Sequence, residues 1–152
     1  MDGSAIENAY GTLEDMGVDI FMCPLSSFTA LAHPDGYLGV NPFLLRDGAD
    51  ELAMLIHEEG HFATGTFYQL DSPYAVREHQ ENVACRYGYK KYYSPARLRA
   101  AMRKGFCEPW QLAEYFGLPE AYVRGMLAYY AEACGEDFSR ACKTARAAKA
   151  KP

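Results

Sequence analysis

Residues 54–65 read MLIHEEGHFATG, and they place two histidines four residues apart, with a glutamate directly after the first. On an α-helix, residues at i and i+4 differ by about 40° around the axis and by one turn in height. His57 and His61 can therefore direct two imidazoles at one point, as a tetrahedral zinc site requires. The alternative is an ordinary amphipathic helix whose two histidines bind nothing.

Glu58 completes an HExxH pattern. It lies about 60° beyond His61 around the helix axis, at the edge of the same face. This position is poor for a third ligand but suits a general base, which takes a proton from a water molecule that the metal activates. Glu59 points away from this face, and we expect it to be exposed to solvent.

A third ligand is expected from the helix that follows. Glu81 comes twenty residues after His61, and a helix–loop–helix of this length can fold back so that its helices pack together. The face around Glu81 also carries Ala84, Cys85 and Gly88. Small residues there would let the two backbones approach closely, which a short carboxylate needs in order to reach a metal held by the neighbouring helix.

Glu78 is the alternative third ligand. Its face includes Asn82 and Tyr89, which are less suited to close contact between helices. Either acid could instead form a surface ion pair, as Glu81 would with Arg77 at the i,i+4 spacing. We favour Glu81 and keep Glu78 as its competitor.

Local signals place these residues on helices joined to a small sheet. Asp47 is a suitable cap for the helix that carries the histidines, and Gly65 is suited to ending it. The sequence HPDG at 33–36 is typical of a turn and predicts a β-hairpin over 28–41. The remaining predictions are a helix over 5–17, a strand over 18–22, a long helix over 75–93, and shorter helices over 94–105, 109–117 and 119–134.

The bulk composition indicates a globular chain with a core of its own. Of its 152 residues, 49% are hydrophobic and 23% are charged. The net charge of -5 argues against a general nucleic-acid binder. No apolar run is long enough to cross a bilayer, and the N-terminal sequence has no basic segment followed by an apolar one, so we expect a cytoplasmic protein. The five cysteines form no CxxC pair, which favours reduced thiols.

The motifs resemble those of the ImmA/IrrE family of metallo-endopeptidases. The likeness is carried by HEEGH at 57–61, by ENVA at 81–84, and by the aromatic, small and proline residues Tyr87, Gly88 and Pro95. The segments GYLGVNPFLL and EPWQLAEYFGLPEAYVRGMLAYY are also similar to the family, so the likeness covers most of residues 5–130.

Two positions depart from the family pattern. Glu59 stands where the family usually has an apolar residue, and Tyr87-Gly88 stands where it commonly has Phe-Ala. Neither change removes a ligand, so both bear on packing and substrate range.

The resemblance implies an α+β fold with a reduced thermolysin-like zincin core, in which a small β-sheet packs on several helices, including the HExxH helix. It implies that His57, His61 and Glu81 bind Zn2+ and that Glu58 is the catalytic base. The expected organisation is a single metallopeptidase domain over 1–138, followed by a loosely ordered basic tail over 139–152. Iron and manganese also accept two histidines and a carboxylate.

Members of the family occur on phages and mobile elements, and some are implicated in cleaving helix-turn-helix repressors. The expected function is therefore that of a zinc-dependent metallo-endopeptidase whose protein substrate is a regulatory protein such as a phage-type repressor. The alternative is a non-catalytic regulator that keeps the zincin fold and binds a protein or DNA. Glu58 favours the enzyme, because a purely structural site has no use for a base and tends to have four protein ligands.

A second motif bears on the DNA-binding alternative. WQLAEYFGLPEAYV, at 110–123, has the outline of a helix, a tight turn and a second helix. A recognition helix should offer Arg, Lys, Asn or Gln to the bases. The candidate, PEAYVRGMLAYYAEA, offers Arg124 alone and two acids, so we expect it to pack within the fold rather than bind DNA.

Two further features could serve a peptidase. An aromatic hydroxyl or His79 could stabilise the oxyanion of peptide hydrolysis. The tyrosines nearest in sequence are Tyr68, Tyr74, Tyr87, Tyr89, Tyr92 and Tyr93. Packing is the default role of each, and none is assigned. The strand YLGVN at 37–41 could bind an extended substrate by strand addition.

Overall fold

The computed structural model describes residues 3–150. Its elements include seven α-helices and a three-stranded mixed sheet, which confirms the α+β class. The chain divides into two compact units, the first ending at Gly88 and the second beginning at Tyr89. Within residues 3–150, no helix has both the length and the apolar character needed to cross a membrane.

The first unit contains the sheet and the helices of the HExxH region. Its elements are α1 (Gly3–Asp15), β1 (Asp19–Met22), β2 (Ala30–His33), β3 (Tyr37–Val40), a 3-10 turn (Pro42–Leu44), α2 (Gly48–Thr64) and most of α3 (Tyr74–Tyr92). The helices predicted over 5–17 and 75–93, the strand over 18–22 and the hairpin are all confirmed. The hairpin turn depends on Gly36, whose φ of 92° is a left-handed conformation that favours glycine.

The sheet has the order β1-β3-β2, with β3 parallel to β1 and antiparallel to β2. The prediction that the strand at 37–41 adds a substrate strand is therefore wrong, because β3 is central and both of its edges are already paired. Leu38 and Val40 of β3 point into the core and are fully buried. Strand β2, which pairs with β3, packs against α2, so the sheet lies on the helix that carries the histidines.

Helix α2 has the ends that the sequence predicted. The Asp47 side chain accepts a hydrogen bond from the Asp50 backbone N–H at 2.9 Å, and Gly65 ends the helix with a φ of 66°. Leu55 and Ile56 bury the apolar side of the helix. These contacts fix the rotation of α2 about its axis, and with it the direction in which the histidines point.

The backbones of helices α2 and α3 approach each other closely at Gly60. A Cβ atom placed on Gly60 would lie 2.4 Å from the carbonyl oxygen of Ala84. Ala84 is one of the small residues expected to allow this approach, and it is fully buried. The close packing puts Glu81, one turn earlier on α3, beside the histidine face of α2.

The second unit is helical. It comprises the end of α3 together with α4 (Pro95–Arg103), α5 (Pro109–Phe116), α6 (Glu120–Cys134) and α7 (Ser139–Lys149). The three helices predicted over 94–134 are confirmed, and the tight turn between α5 and α6 uses Gly117 with a φ of 67°. Within the segment 139–152, expected to be a loosely ordered tail, Ser139–Lys149 form α7, which packs on α4 and buries Ala141 and Ala145. Residues 151 and 152 lie outside the described residues.

Candidate metal centre

The structure brings His57, His61 and Glu81 together. One ligand atom from each lies within 4.8 Å of the other two. The two Nε2 atoms are 3.1 Å apart, His57 Nε2 is 2.9 Å from Glu81 Oε2, and His61 Nε2 is 3.3 Å from Glu81 Oε1. The competitor Glu78 is exposed, and its Oε1 accepts a hydrogen bond from Tyr74 at 3.4 Å, outside this group.

These separations fit a metal centre. Two ligand atoms at about 2.1 Å from a tetrahedral zinc ion lie about 3.4 Å apart. The three measured distances, from 2.9 to 3.3 Å, are within a few tenths of an ångström of that value. Small adjustments of the side chains would therefore suffice to hold one divalent ion.

The loop after α2 sets the tautomer of His61. The backbone carbonyl of Thr66 is 2.7 Å from His61 Nδ1. Because a carbonyl oxygen only accepts hydrogen bonds, Nδ1 carries a proton, which leaves Nε2 as the nitrogen that can bind a metal ion. The left-handed Gly65 turns the chain back so that this carbonyl reaches the ring. Sequence reasoning missed Thr66, although the predicted helix end at Gly65 was a signal for such a turn.

Cys85 lies behind the other histidine. Its Sγ is 3.4 Å from His57 Nδ1, on the side of the ring away from the ligand group. Cys85 follows Glu81 by one helical turn, so one face of α3 supplies both the carboxylate and the contact that orients His57. Sequence reasoning identified Cys85 only as a small residue, because its contact with His57 depends on how α3 packs.

Charge also holds the group together. Burial opposes a charge on His57, but hydrogen bonds to Cys85 and Glu81 outweigh it and raise the pKa of His57 to about 10. Burial raises the pKa of Glu81, but its hydrogen bonds with His57 and His61 dominate and hold that pKa well below its usual range. A bound metal ion would take the place of the proton on His57, so metal binding would release it.

Glu58 is a buried carboxylate beside this group. Burial raises its pKa, and the positive charge of the histidines only partly opposes the shift. A carboxylate with a raised pKa is a better proton acceptor near neutral pH than an ordinary exposed acid. The charges of His57, His61 and Glu81 all act on the pKa of Glu58.

The expectation that Glu59 is exposed is wrong. Its side chain is only 1% exposed and accepts a hydrogen bond from the Tyr87 hydroxyl at 3.0 Å. Tyr87 of α3 reaches round to this side of α2, so the carboxylate of Glu59 has a partner in the interior. Glu59 and Tyr87, two of the positions that differ from the ImmA/IrrE pattern, thus interact directly with each other.

Solvent reaches the group from the side of Glu81. The Glu81 side chain is 39% exposed, whereas that of His61 is 7% exposed. Tyr68 lies on this open side, and its hydroxyl donates a hydrogen bond to Glu81 Oε1 at 2.5 Å. Burial and the contact with Glu81 raise the pKa of Tyr68 to about 12, so the phenol is a hydrogen-bond donor at neutral pH. The sequence carries no signal that separates Tyr68 from the other tyrosines near the motif.

The chain was compared with protein families, curated proteins and solved structures. No family model, curated protein or solved structure matches the chain.

Proposed function

We propose that this protein is a zinc-dependent metallo-endopeptidase, a hydrolase that cleaves peptide bonds. The observation that carries the proposal is the convergence of His57, His61 and Glu81, with ligand atoms 2.9 to 3.3 Å apart. Two histidines at i,i+4 and a carboxylate from a second helix form a three-ligand set that leaves a coordination position open, as catalytic zinc sites do.

The residues of the chain have distinct roles in this reaction. A zinc ion bound by the three ligands would supply Lewis acidity for the attacking water and the peptide carbonyl. Glu58 takes the proton from the water and returns it to the leaving amine. The Thr66 carbonyl and Cys85 hold the two imidazoles in the orientation that the ligand set needs.

The open side of the site supports catalysis over a structural role. Structural zinc sites are usually closed by four protein ligands. Here the ligand group has three members among the described residues, and Glu81 is partly exposed. A peptide substrate could therefore approach the metal from the side of Glu81.

The choice of substrate rests on the resemblance to the ImmA/IrrE family. HEEGH at 57–61 and ENVA at 81–84 are the motifs that carry it, and they include all three proposed ligands and the base. By that likeness the protein has a zincin core, and its substrate is a regulatory protein such as a phage-type helix-turn-helix repressor, cleaved in the cytoplasm.

Metal analysis of Glu81→Gln and Glu78→Gln variants tests the metal centre. Both acids lie on α3 one turn apart, but only Glu81 lies within the ligand group. The unmodified protein and Glu78→Gln should each bind one zinc ion after dialysis against zinc, and Glu81→Gln should lose it. Absence of stoichiometric zinc from the unmodified protein, or its retention by Glu81→Gln, would overturn the proposed centre.

A peptide library tests the reaction. The zinc-loaded protein is incubated with peptides from a digested proteome, and cleavage products are identified by mass spectrometry. New termini should appear with zinc and disappear after chelation. If the zinc-loaded protein cleaves neither these peptides nor helix-turn-helix repressors, the non-catalytic alternative replaces the peptidase.

A further inference from the structure

Tyr68 lies on the loop that joins α2 to α3, beside the open side of the ligand group. Building on the proposed peptidase function, we propose that Tyr68 is a further catalytic residue, whose hydroxyl stabilises the carbonyl oxygen of the peptide bond during hydrolysis. Its hydrogen bond to Glu81 Oε1, at 2.5 Å, places this hydroxyl beside a proposed ligand atom.

The exposure of the site favours this role. Tyr68 is 37% exposed and Glu81 is 39% exposed, so both lie where a substrate can enter. A phenol has one proton to donate. As negative charge develops on the peptide oxygen, the hydroxyl can exchange its bond to Glu81 for a bond to that oxygen.

The loop holds the phenol in place before a substrate arrives. On one side of Tyr68, the Thr66 carbonyl contacts His61 Nδ1 at 2.7 Å. On the other, the Gln69 backbone N–H donates to Ser72 Oγ at 3.0 Å. The Tyr68 ring stands edge-on to the His61 ring, with 6.2 Å between centroids. A donor fixed in advance stabilises a developing charge without the cost of reorganisation.

The other candidates in the first unit point elsewhere. Tyr74 donates to Glu78, and Tyr87 donates to the buried Glu59. His79 is exposed and lies two residues before Glu81, about 200° away around the axis of α3. Among these oxyanion-stabilising candidates of the first unit, Tyr68 is therefore the one whose hydroxyl contacts a proposed metal ligand.

A Tyr68→Phe variant tests the assignment, with Tyr74→Phe as its matched control. Tyr74 is an exposed tyrosine near the same loop, and its hydroxyl contacts Glu78 instead of the ligand group. Zinc content and zinc affinity are measured by chelator competition. The values of kcat and KM are measured with a peptide selected from the library. Acetohydroxamate binding to the cobalt-substituted proteins is followed by visible absorption, which does not depend on catalysis.

Tyr68→Phe should retain zinc and KM, while kcat falls about 100-fold, the size of effect seen when one oxyanion donor is removed. Acetohydroxamate, whose bound oxygen imitates the substrate oxygen, should bind about tenfold more weakly. Tyr74→Phe should match the unmodified protein in every measurement.

Three results would overturn the assignment. Full kcat in Tyr68→Phe would remove Tyr68 from the reaction and leave the peptidase proposal standing. Weakened zinc binding, with kcat restored by excess zinc, would show that the phenol only positions Glu81. If the unmodified protein binds no zinc, the proposed function fails, and the role of Tyr68 fails with it.

Discussion

Gly60 of α2 lies so close to Ala84 of α3 that a Cβ on the glycine would be 2.4 Å from the alanine carbonyl oxygen. The contact is between backbones, so neither side can yield by rotating a side chain. Because Glu81 precedes Ala84 by three residues, the distance between these helices also determines whether its carboxylate reaches the histidines.

Gly60→Ala should therefore weaken both folding and metal binding. The added methyl group has to push α3 away from α2, which should cost about 1 to 3 kcal/mol in the free energy of unfolding. Zinc affinity should fall as well, because Glu81 moves with α3. Urea denaturation and chelator competition measure the two effects.

Gly11→Ala is the control for that experiment. Gly11 lies in α1, and a Cβ placed there meets nothing within 4 Å. Alanine is the better helix former, so this variant should be more stable by about 1 kcal/mol, with zinc affinity unchanged. Equal zinc affinity in Gly60→Ala and Gly11→Ala would contradict the spacing argument.

Glu58→Gln should separate metal binding from catalysis. The amide is similar in size but cannot take a proton, so zinc content should remain while kcat falls by at least about 100-fold. Metal analysis and peptide cleavage on the same preparation check both parts. Cleavage at the full rate would exclude Glu58 as the base.

Without a metal ion, the protein should become less stable as the pH rises from 6.5. The pKa of His57 is raised from 6.5 to about 10, so its protonated form stabilises the folded state. This contribution is complete below pH 6.5 and is lost as the pH rises toward about 10. The free energy of unfolding of EDTA-treated protein, measured by denaturation across this pH range, should show the decline.

His57→Gln provides the comparison, because it removes the titrating group. Its stability should depend less on pH over the same range than that of the unmodified protein. Glu81 has a lowered pKa, so its contribution is present above pH 4.5 and is lost as the pH falls. The same pH slope in both proteins would contradict the assignment to His57.

Substitutions of Glu59 and Tyr87 should have strongly coupled effects on the free energy of unfolding. Tyr87→Phe removes a donor from a buried carboxylate and should cost about 1 to 3 kcal/mol of stability. Glu59→Leu combined with Tyr87→Phe replaces the pair by apolar side chains and should recover much of that loss. Thermal unfolding of both single variants and the double variant gives the coupling energy. Additive effects would mean that the hydrogen bond contributes little.

Local chemistry predicted the parts of the structure that short segments determine. Asp47 and Gly65 gave the ends of α2 because a cap and a left-handed glycine act within a few residues. The convergence of His57 with His61 follows from helical geometry alone. Glu81 could be favoured over Glu78 because small residues share its face of α3.

The features that were missed depend on contacts between distant segments. The helical angle showed that Glu59 points away from the histidines, but not that Tyr87 of α3 reaches that side. The sequence of β3 looked like an available strand, but its place between β1 and β2 is set by the fold of the whole sheet. Cys85 and Tyr68 likewise acquire their contacts only when α3 and its loop fold back onto α2.

The bond between His61 and Thr66 has a consequence for genetics. The acceptor is a main-chain carbonyl, which every amino acid possesses, so replacing the Thr66 side chain leaves it in place. A survey of single substitutions would report on the Thr66 side chain, whose Oγ1 lies 3.2 Å from His61 Nδ1, and would pass over the shorter contact made by the carbonyl. Insertions or deletions in the segment after Gly65 would expose its importance, because they alter the path of the backbone itself.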